Sequence, residues 1–222
     1  MPLAPHLPYR LPRLSESELQ EKSEAMLTEA RKRRSCRHFS TQPVPRRVME
    51  NLIKLAATAP SGANKEPWSF AAVSDAELKR KIREAAEAEE KKFYEQRAPE
   101  SWLKDLEPLG THWQKPFLEE APWLLVVFKQ LYRSAPEGNK RKHYYVNESV
   151  GIAAGFLIGA IHRLGLATLT HTPSPMDFLA ELLQRPPEEK AFLLLPVGYP
   201  AEHAEVPVLA KKEFGEYAYF YD

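Results

Sequence analysis

Apolar positions recur along the chain in two patterns, one typical of helices and one typical of strands. Spacings of three and four residues indicate a helix with one buried face, whereas short continuous apolar runs indicate buried strands. The spaced pattern follows Pro45, a favourable residue for the first turn of a helix, and it stops at Pro60 and Gly62. The continuous runs predict strands at residues 68–73, 123–128, 167–171 and 191–197.

Further helices are predicted around these strands. Ser15 and Glu18 have the spacing of a capping box, so a first helix should begin there and end near Arg34. Asp75 is a suitable cap for a long helix that reaches about Arg97. The other predicted segments are the most apolar helix at about 144–164, a short helix at about 176–183, irregular or short-helical structure at 99–122 and a basic loop at 133–143.

Helices that alternate with short strands predict a mixed α/β or α+β sheet flanked by helices. We expect residues 1–222 to form a single domain. Residues 1–14 are rich in proline and lack periodicity, so they should form an extended N-terminal arm. Residues from about 200 to 222 also lack clear periodicity and are predicted to be a C-terminal extension.

Charge and cysteine content narrow the possible functions. The chain has 31 Lys+Arg and 30 Asp+Glu, a net charge of +1, which excludes nucleic-acid binding through bulk charge. Cys36 is the single cysteine, so no intramolecular disulfide forms, as expected in a reducing compartment. The longest uncharged run, residues 149–162, is too short to span a bilayer. We therefore expect a cytoplasmic protein without a membrane partner.

A basic cluster follows the first helix. Five of the seven residues 31–37 are cationic, and Ser35 adds a hydroxyl group. Arginine guanidinium groups bind phosphate oxygens in a bidentate manner, which favours a phosphate pocket. The alternative is a solvated cluster that stabilises the end of the helix through its dipole. The residues alone leave both interpretations open.

Three further patterns are candidates for a binding site. The turn at residues 60–62 exposes N–H groups that could bind an anion, but it could also be a plain connection. Thr170 and Thr172 alternate at a strand end, where ligands often bind, although alternating threonines also favour β-structure. Glu90 and Tyr94 project from one helix face, and with Lys115 they could clamp a zwitterion or be solvated surface residues.

Glycines occur at every fourth position of the most apolar predicted helix, at Gly151, Gly155 and Gly159. This stripe predicts close helix packing, either within the fold or at a dimer interface. The seven histidines lack metal-ligand spacing, so no metal site is predicted. Motifs typical of Rossmann dehydrogenases, P-loop NTPases and serine hydrolases do not occur in the sequence.

Taken together, these segments resemble the nitroreductase-like flavoprotein superfamily and, within it, the iodotyrosine deiodinase branch. The similarity extends from about Arg33 to Pro207. The turn with the sequence PSGA, combined with the glutamate, tyrosine and lysine set, points to that branch. The runs that carry the resemblance are RRSCR at 33–37, APSGA at 59–63, EPW at 66–68, KIR at 81–83, FKQ at 128–130, HYY at 143–145, THTP at 170–173 and LLPVGYP at 194–200.

The resemblance implies an α+β nitroreductase-like fold that binds FMN at the interface of an intertwined homodimer. It implies that Thr172 is the catalytic residue, with its hydroxyl near flavin N5. The family places an arginine at the flavin phosphate near the C-terminus, and Lys211 takes that position here. The implied cofactor-binding set is Arg33, Arg34, Ser35, Arg37, Ser61, Thr170, Thr172 and Lys211.

The substrate implied by the resemblance is a halotyrosine. Glu90 would bind its ammonium group and Lys115 its carboxylate, while Tyr94 would hydrogen-bond to the same zwitterion. The Ala63 N–H would help to bind the phenolate. The implied reaction is FMN-dependent reductive dehalogenation of iodotyrosine and other halotyrosines to tyrosine and halide, in one-electron steps, with NAD(P)H or a reductase as electron donor. We expect a soluble form without the membrane anchor of the animal enzymes.

Two other functions fit the same residues. One is a general NAD(P)H-dependent nitroreductase or quinone reductase on the same fold, which would show no preference for amino-acid zwitterions. The other is a sensor that binds flavin or another ligand without turnover. Replacement of Glu90 by glutamine separates the first alternative from dehalogenation, because only a zwitterion-binding enzyme depends on that carboxylate.

Overall fold

The first helix, α1 (Glu16–Arg31), begins at the predicted capping box. The Ser15 hydroxyl accepts a hydrogen bond from the Glu18 N–H, and the Glu18 carboxylate accepts one from the Ser15 N–H. The helix contains no buried residue, and it ends at Arg31 rather than near Arg34. The computed structural model describes residues 5–134 and 139–221 and divides the chain into two units, Met1–Arg33 and Arg34–Asp222; α1 belongs to the first.

Helices and strands alternate along the second unit, as the sequence predicts. The helices are α2 (Arg46–Ala56), α3 (Ala76–Lys92), α4 (Glu100–Leu106), α5 (Phe117–Glu120), α6 (Val146–Arg163) and α7 (Asp177–Leu182). The strands are β1 (Trp68–Val73), β2 (Trp123–Gln130), β3 (Tyr132–Ser134), β4 (Lys140–Lys142), β5 (Ala167–Thr168) and β6 (Glu189–Gly198). Short 3₁₀ helices lie at Gly62–Asn64, Glu107–Leu109 and Phe214–Glu216, and a π-helical turn lies at Phe93–Arg97.

Four strands form the central sheet in the order β1-β2-β6-β5, and each neighbouring pair is antiparallel. A parallel bridge between Ser35 and Thr168 extends the β5 edge and makes the sheet mixed. Helices pack on both faces, which confirms the predicted α+β fold. Strands β3 and β4 form a separate hairpin where the sequence predicted a basic loop, and residues 135–138 of that loop lie outside the described residues.

The two faces of the sheet bury different helices, because side chains alternate along each strand. Leu125 and Val127 of β2 lie in a cluster with residues of α2 and α6. Leu124 and Val126 lie in a second cluster, with residues of α3, α5 and α7. The fold is therefore three-layered, and the second face carries the candidate site described below.

Strand β5 is shorter than predicted. Its pairing with β6 stops after Thr168 and resumes at a bridge between His171 and Leu194, which exchange two backbone hydrogen bonds. In the same antiparallel register Leu169 faces Pro196, which has no N–H to donate. The missing donor interrupts the ladder, so the residues that follow β5 form irregular backbone beside the sheet.

The glycine stripe of α6 faces open space. A Cβ atom built on Gly151, Gly155 or Gly159 would meet no neighbouring atom within 4 Å. Ile152 and Phe156 on the same helix are 43% and 44% exposed, respectively. Packing within the fold is therefore excluded as the role of this stripe in the described chain. Within residues 5–134 and 139–221, no helix combines the length and the apolar character needed to cross a bilayer.

Candidate active site

A cleft of about 480 Å³ opens between α3, α4 and the segment that follows β5. It lies on the face of the sheet that packs against α3, α5 and α7. Its lining combines residues from two sets that the sequence predicted separately. Glu90, Tyr94 and Lys115 come from the substrate-binding set, and Thr170 and Thr172 come from the cofactor-binding set.

Lys115 is a buried cation on the loop before α5, and its side chain is only 4% exposed. Its Nζ lies 3.3 Å from Glu90 Oε2 and donates hydrogen bonds to the Thr111 hydroxyl, at 3.2 Å, and to the His112 carbonyl. Burial lowers the pKa of the Lys115 ammonium group, and the Glu90 carboxylate opposes that shift. A pair of opposite charges is thus held at the wall of the cleft.

Helix α3 and the π-helical turn after it position the other two members of this set. Glu90 lies in the last turn of α3, and Tyr94 lies in the π-helical turn. The Tyr94 hydroxyl donates a hydrogen bond to the Thr111 carbonyl at 3.3 Å, and its ring centroid lies 5.6 Å from Lys115 Nζ. Burial raises the pKa of the Tyr94 phenol, so its hydroxyl remains a donor. We call Glu90, Tyr94 and Lys115 the clamp.

His171 lines the cleft between the two predicted flavin threonines, yet the sequence patterns did not single it out. Its ring packs edge-on against Phe117, with the ring centroids 5.6 Å apart. Burial, followed by the charges of Lys115 and Arg37, lowers the pKa of His171 to about 3. The imidazole is therefore neutral at neutral pH. A lone histidine has no characteristic spacing, so no sequence signal could have identified it.

The part of the basic cluster that belongs to the second unit, residues 34–37, runs along the β5 edge of the sheet. The Cys36 N–H donates to the Thr168 carbonyl at 3.2 Å, next to the bridge that Ser35 forms. Arg34 donates a hydrogen bond to the Pro207 carbonyl in the C-terminal extension. Arg37 lines a depression of about 140 Å³ that shares Thr111 with the main cleft. The fold thus brings part of the predicted phosphate-binding set close to the clamp.

The groups along this edge fit FMN. Guanidinium groups at Arg34 and Arg37 match phosphate oxygens, because their N–H donors form bidentate pairs. Hydroxyl groups at Ser35, Thr170 and Thr172 both donate and accept hydrogen bonds, as a polyhydroxylated ribityl chain and a flavin edge require. The charge of Arg37 lowers the pKa values of both Lys115 and His171, so an anionic group is favoured here.

Other predicted residues do not line the cleft. Ser61 and Ala63 precede β1, the edge strand opposite β5, and three strand spacings separate β1 from β5 by roughly 14 Å. The Ser61 hydroxyl accepts a hydrogen bond from the Glu66 N–H at 2.9 Å, within its own turn. Lys211 is exposed in the C-terminal extension, and Arg33 is the last residue of the first unit. Their cofactor or substrate roles stay predictions.

Two neighbours of Lys115, Thr111 and Glu87, were also not predicted from the sequence as site residues. Thr111 meets the side chains of both Lys115 and Tyr94. Glu87 accepts a hydrogen bond from the Lys115 backbone N–H at 2.6 Å. Its spacing on α3 was the available signal, since it lies one helical turn before Glu90.

In residues 5–134 and 139–221, no group of three or more His, Cys, Asp or Glu side chains is arranged to hold a metal ion.

Comparison with known proteins identifies the family. Residues 30–199 match the Nitroreductase family. An iodotyrosine deiodinase of Haliscomenobacter hydrossis is 53% identical over 207 residues, which cover 93% of each chain. One from Danio rerio is 46% identical over 215 residues, which cover 96% of this chain and 72% of the relative.

A solved structure agrees with these relatives. A crystal structure of oxidized iodotyrosine deiodinase bound to FMN and 3-iodo-L-tyrosine matches with a TM-score of 0.73 at 34% identity. The match covers 88% of this chain and 100% of that one. The chain therefore belongs to the nitroreductase family and, within it, to the iodotyrosine deiodinases.

Proposed function

We propose that this chain is an FMN-dependent reductive dehalogenase that converts iodotyrosine and other halotyrosines to tyrosine and halide. One observation carries the proposal: the clamp shares a single cleft with the two threonines that match flavin contacts of the family. A general nitroreductase has no need of a buried carboxylate and ammonium pair in this position. The relatives at 53% and 46% identity support the same reaction.

The cofactor is held along the β5 edge. Arg34, Ser35 and Arg37 bind the FMN phosphate and the start of its ribityl chain, while Thr170 and Thr172 contact the flavin. Arg33, Ser61 and Lys211 complete the set by resemblance. When bound, FMN would supply two electrons, one at a time, which together with a proton would replace the carbon–halogen bond by a carbon–hydrogen bond and release halide. By the resemblance, Thr172 would act on the chemistry directly, because its hydroxyl would hydrogen-bond to flavin N5.

The clamp binds the amino-acid end of the substrate. Glu90 takes the ammonium group, Lys115 takes the carboxylate, and Tyr94 donates a hydrogen bond to the same zwitterion. In the structure, Glu90 Oε2 and Lys115 Nζ lie 3.3 Å apart and neutralise each other. When a zwitterion enters between them, each buried charge keeps an opposite partner, so the exchange avoids the large free-energy penalty of an unpaired buried ion. The Ala63 N–H binds the phenolate at the other end.

A second copy of the chain completes the site in an intertwined homodimer. The turn with Ser61 and Ala63 lies at the opposite edge of the sheet from the clamp's cleft, so a partner is the natural source of these groups. The open glycine stripe of α6, flanked by the exposed Ile152 and Phe156, offers a flat apolar face for that partner. Sedimentation velocity checks this, and a monomer at micromolar concentration contradicts it.

The electron donor is NAD(P)H or a separate reductase, and the protein acts in the cytoplasm. The free, buried thiol of Cys36 suits a reducing compartment. Stopped-flow reduction of the FMN-loaded protein by NADPH separates the two donors. Flavin bleaching within seconds supports direct use of the nucleotide, and no bleaching supports a reductase.

The decisive experiment uses FMN-loaded protein that has been reduced with dithionite. It is mixed with 3-iodotyrosine, and iodide and tyrosine are measured against free reduced FMN. Release of both products well above the control supports the proposal, and equal rates contradict it. The Glu90→Gln variant should lose iodotyrosine turnover but keep the reduction of a nitroaromatic. Nearly unchanged activity of Glu90→Gln on both substrates would favour a general reductase, and bound flavin without turnover would favour a sensor.

A further inference from the structure

We propose that Glu87 is a positioning residue that fixes Lys115 for the substrate carboxylate, and that Arg83 holds Glu87 in place; the inference rests on the function proposed above. Glu87 Oε1 accepts a hydrogen bond from the Lys115 backbone N–H at 2.6 Å. The same oxygen accepts one from Arg83 Nε at 2.8 Å. The Glu87 side chain is 15% exposed, so both bonds are largely shielded from water. We call Arg83 and Glu87 the brace.

The brace and the clamp share one face of a helix. Arg83, Glu87, Glu90 and Tyr94 follow at spacings of four, three and four residues, which place them in one stripe along α3 and the π-helical turn. Glu87 and Glu90 approach Lys115 from its two ends, one at the backbone N–H and the other at Nζ. Side chains from a single helix therefore hold both the backbone N–H and the Nζ of Lys115.

Lys115 needs such support because its own segment is irregular. Residues 111–115 form neither helix nor strand. A charge-assisted hydrogen bond that a carboxylate accepts from a backbone N–H is shorter and stronger than a neutral one, so Glu87 restrains this loop effectively. Arg83 also lies 3.5 Å from Glu119 Oε1 of α5, on the far side of the loop. Without the brace, Nζ would lose its fixed distance to Glu90.

The expected consequence is selective for substrates that carry a zwitterion. A displacement of about 1 Å, caused by a mutation far from the chemistry, can reduce activity by about 100-fold. We expect Glu87→Ala to raise KM for 3-iodotyrosine by at least about 10-fold, because the loss of its hydrogen bond displaces Lys115. The kcat/KM for 2-iodophenol, which has no amino-acid group for Lys115 to bind, should stay within about twofold.

The test compares four FMN-loaded full-length variants with the unmodified protein. Glu87→Ala removes the acceptor, Glu87→Gln keeps a neutral acceptor, and Glu87→Asp withdraws it by about 1.5 Å. The matched control is Glu84→Ala on the same helix, because Glu84 is exposed and pairs with Arg80. Steady-state kinetics on both substrates are combined with hydrogen–deuterium exchange at the Lys115 amide.

The proposal is supported if Glu87→Ala and Glu87→Asp show faster exchange at the Lys115 amide and a KM increase confined to iodotyrosine. Glu87→Gln should recover part of the loss, because it keeps a neutral acceptor, and Glu84→Ala should change neither quantity. Equal losses on both substrates, or an unchanged KM, would overturn the inference. If Glu87→Ala does not fold, the KM values and the exchange rate of Glu87→Asp decide between the two outcomes. If the unmodified protein releases no iodide, the proposed function fails separately. Exchange at Lys115 then supports the brace if faster in Glu87→Ala and overturns it if unchanged.

Discussion

Lys79 and Lys115 are both buried on the same face of the sheet, with 7% and 3% of the whole residue exposed, but their hydrogen-bond and ion-pair partners differ. Lys79 of α3 donates hydrogen bonds to the carbonyls of Glu119, at 2.9 Å, and Ala121, at 2.7 Å, at the end of α5. Lys115 donates to one backbone carbonyl as well, that of His112, but it also pairs with a side-chain carboxylate, that of Glu90, at the wall of the cleft. Lys79 therefore links α3 to α5, whereas Lys115 lines a cleft that a ligand can enter.

The contrast shows how a structural buried lysine differs from a ligand-binding one. Backbone carbonyls at a helix end are held in place by the helix, so the hydrogen bonds that they accept from Lys79 are fixed. A side-chain carboxylate rotates to a new partner, so Lys115 can exchange Glu90 for the carboxylate of a substrate. Burial lowers the pKa of both lysines, and therefore the direction of a pKa shift does not separate the two roles.

Removal of the Lys115 ammonium group should have the largest effect. We expect Lys115→Met to raise the Kd and KM for 3-iodotyrosine by about 100-fold, because loss of one partner of a buried ion pair costs about 3 kcal/mol. The measurements are titration of the oxidised FMN-loaded protein by flavin fluorescence and steady-state kinetics. Lys190→Met is the control, because Lys190 lines the same cleft but is 47% exposed and pairs with Asp177. Similar losses in both variants would argue against the clamp.

The same change at Lys79 should affect stability and leave substrate binding intact. We expect Lys79→Met to lower the free energy of unfolding by about 2 kcal/mol, since it leaves two carbonyls without their charged donor. Urea denaturation measures this change, and KM for 3-iodotyrosine should stay within about twofold. Lys81→Met on the exposed side of α3 serves as the control. A KM increase like that of Lys115→Met would remove the distinction between the two lysines.

The pH dependence of stability that His171 causes extends the comparison of the two lysines. Its pKa of about 3 in the folded protein lies below the ordinary 6.5, so the unfolded chain binds the proton first as the pH falls. The free energy of unfolding should decrease by about 1.4 kcal/mol per pH unit between pH 6 and 4 relative to His171→Asn. Urea titrations at several pH values test this, and parallel curves would contradict it. Lys115→Met should raise the His171 pKa, whereas Lys79→Met should not.

The smallest expected effect concerns the hydroxyl group that assists the clamp. We expect Thr111→Val to raise KM for 3-iodotyrosine about fivefold, because Lys115 Nζ loses one hydrogen bond worth about 1 kcal/mol. Thr58→Val is a matched control, since the Thr58 hydroxyl bonds the Leu55 carbonyl at the end of α2, on the other face of the sheet. An unchanged KM in Thr111→Val would mean that Glu90 and the His112 carbonyl position the Lys115 ammonium group without help from the Thr111 hydroxyl.

The elements of the fold were largely predictable because they depend on local pattern. The strand at 68–73 and the Asp75 cap of α3 are confirmed by the structure. The strand at 167–171 was predicted too long, because its interruption depends on Pro196 in the partner strand. No pattern within the segment itself contains that information.

The candidate site was predictable to a smaller extent. Helical spacing placed Glu90 and Tyr94 on one face, but the approach of Lys115 came from a resemblance and not from its spacing. The roles of Thr111, Glu87 and His171 depend on contacts between segments that lie far apart in the chain. Such contacts have no signature in a single sequence.

The amino-acid sequence by itself determined the helices, the apolar strands and the chemical types available for a zwitterion and a phosphate, because these follow from local spacing and residue chemistry. The tertiary structure decided which groups meet. It set Lys115 against Glu90 and Lys79 against backbone carbonyls, it made His171 neutral by burial, and it left the glycine stripe of α6 open. Distances and desolvation arise only when the segments pack together, and they distinguish a binding lysine from a structural one.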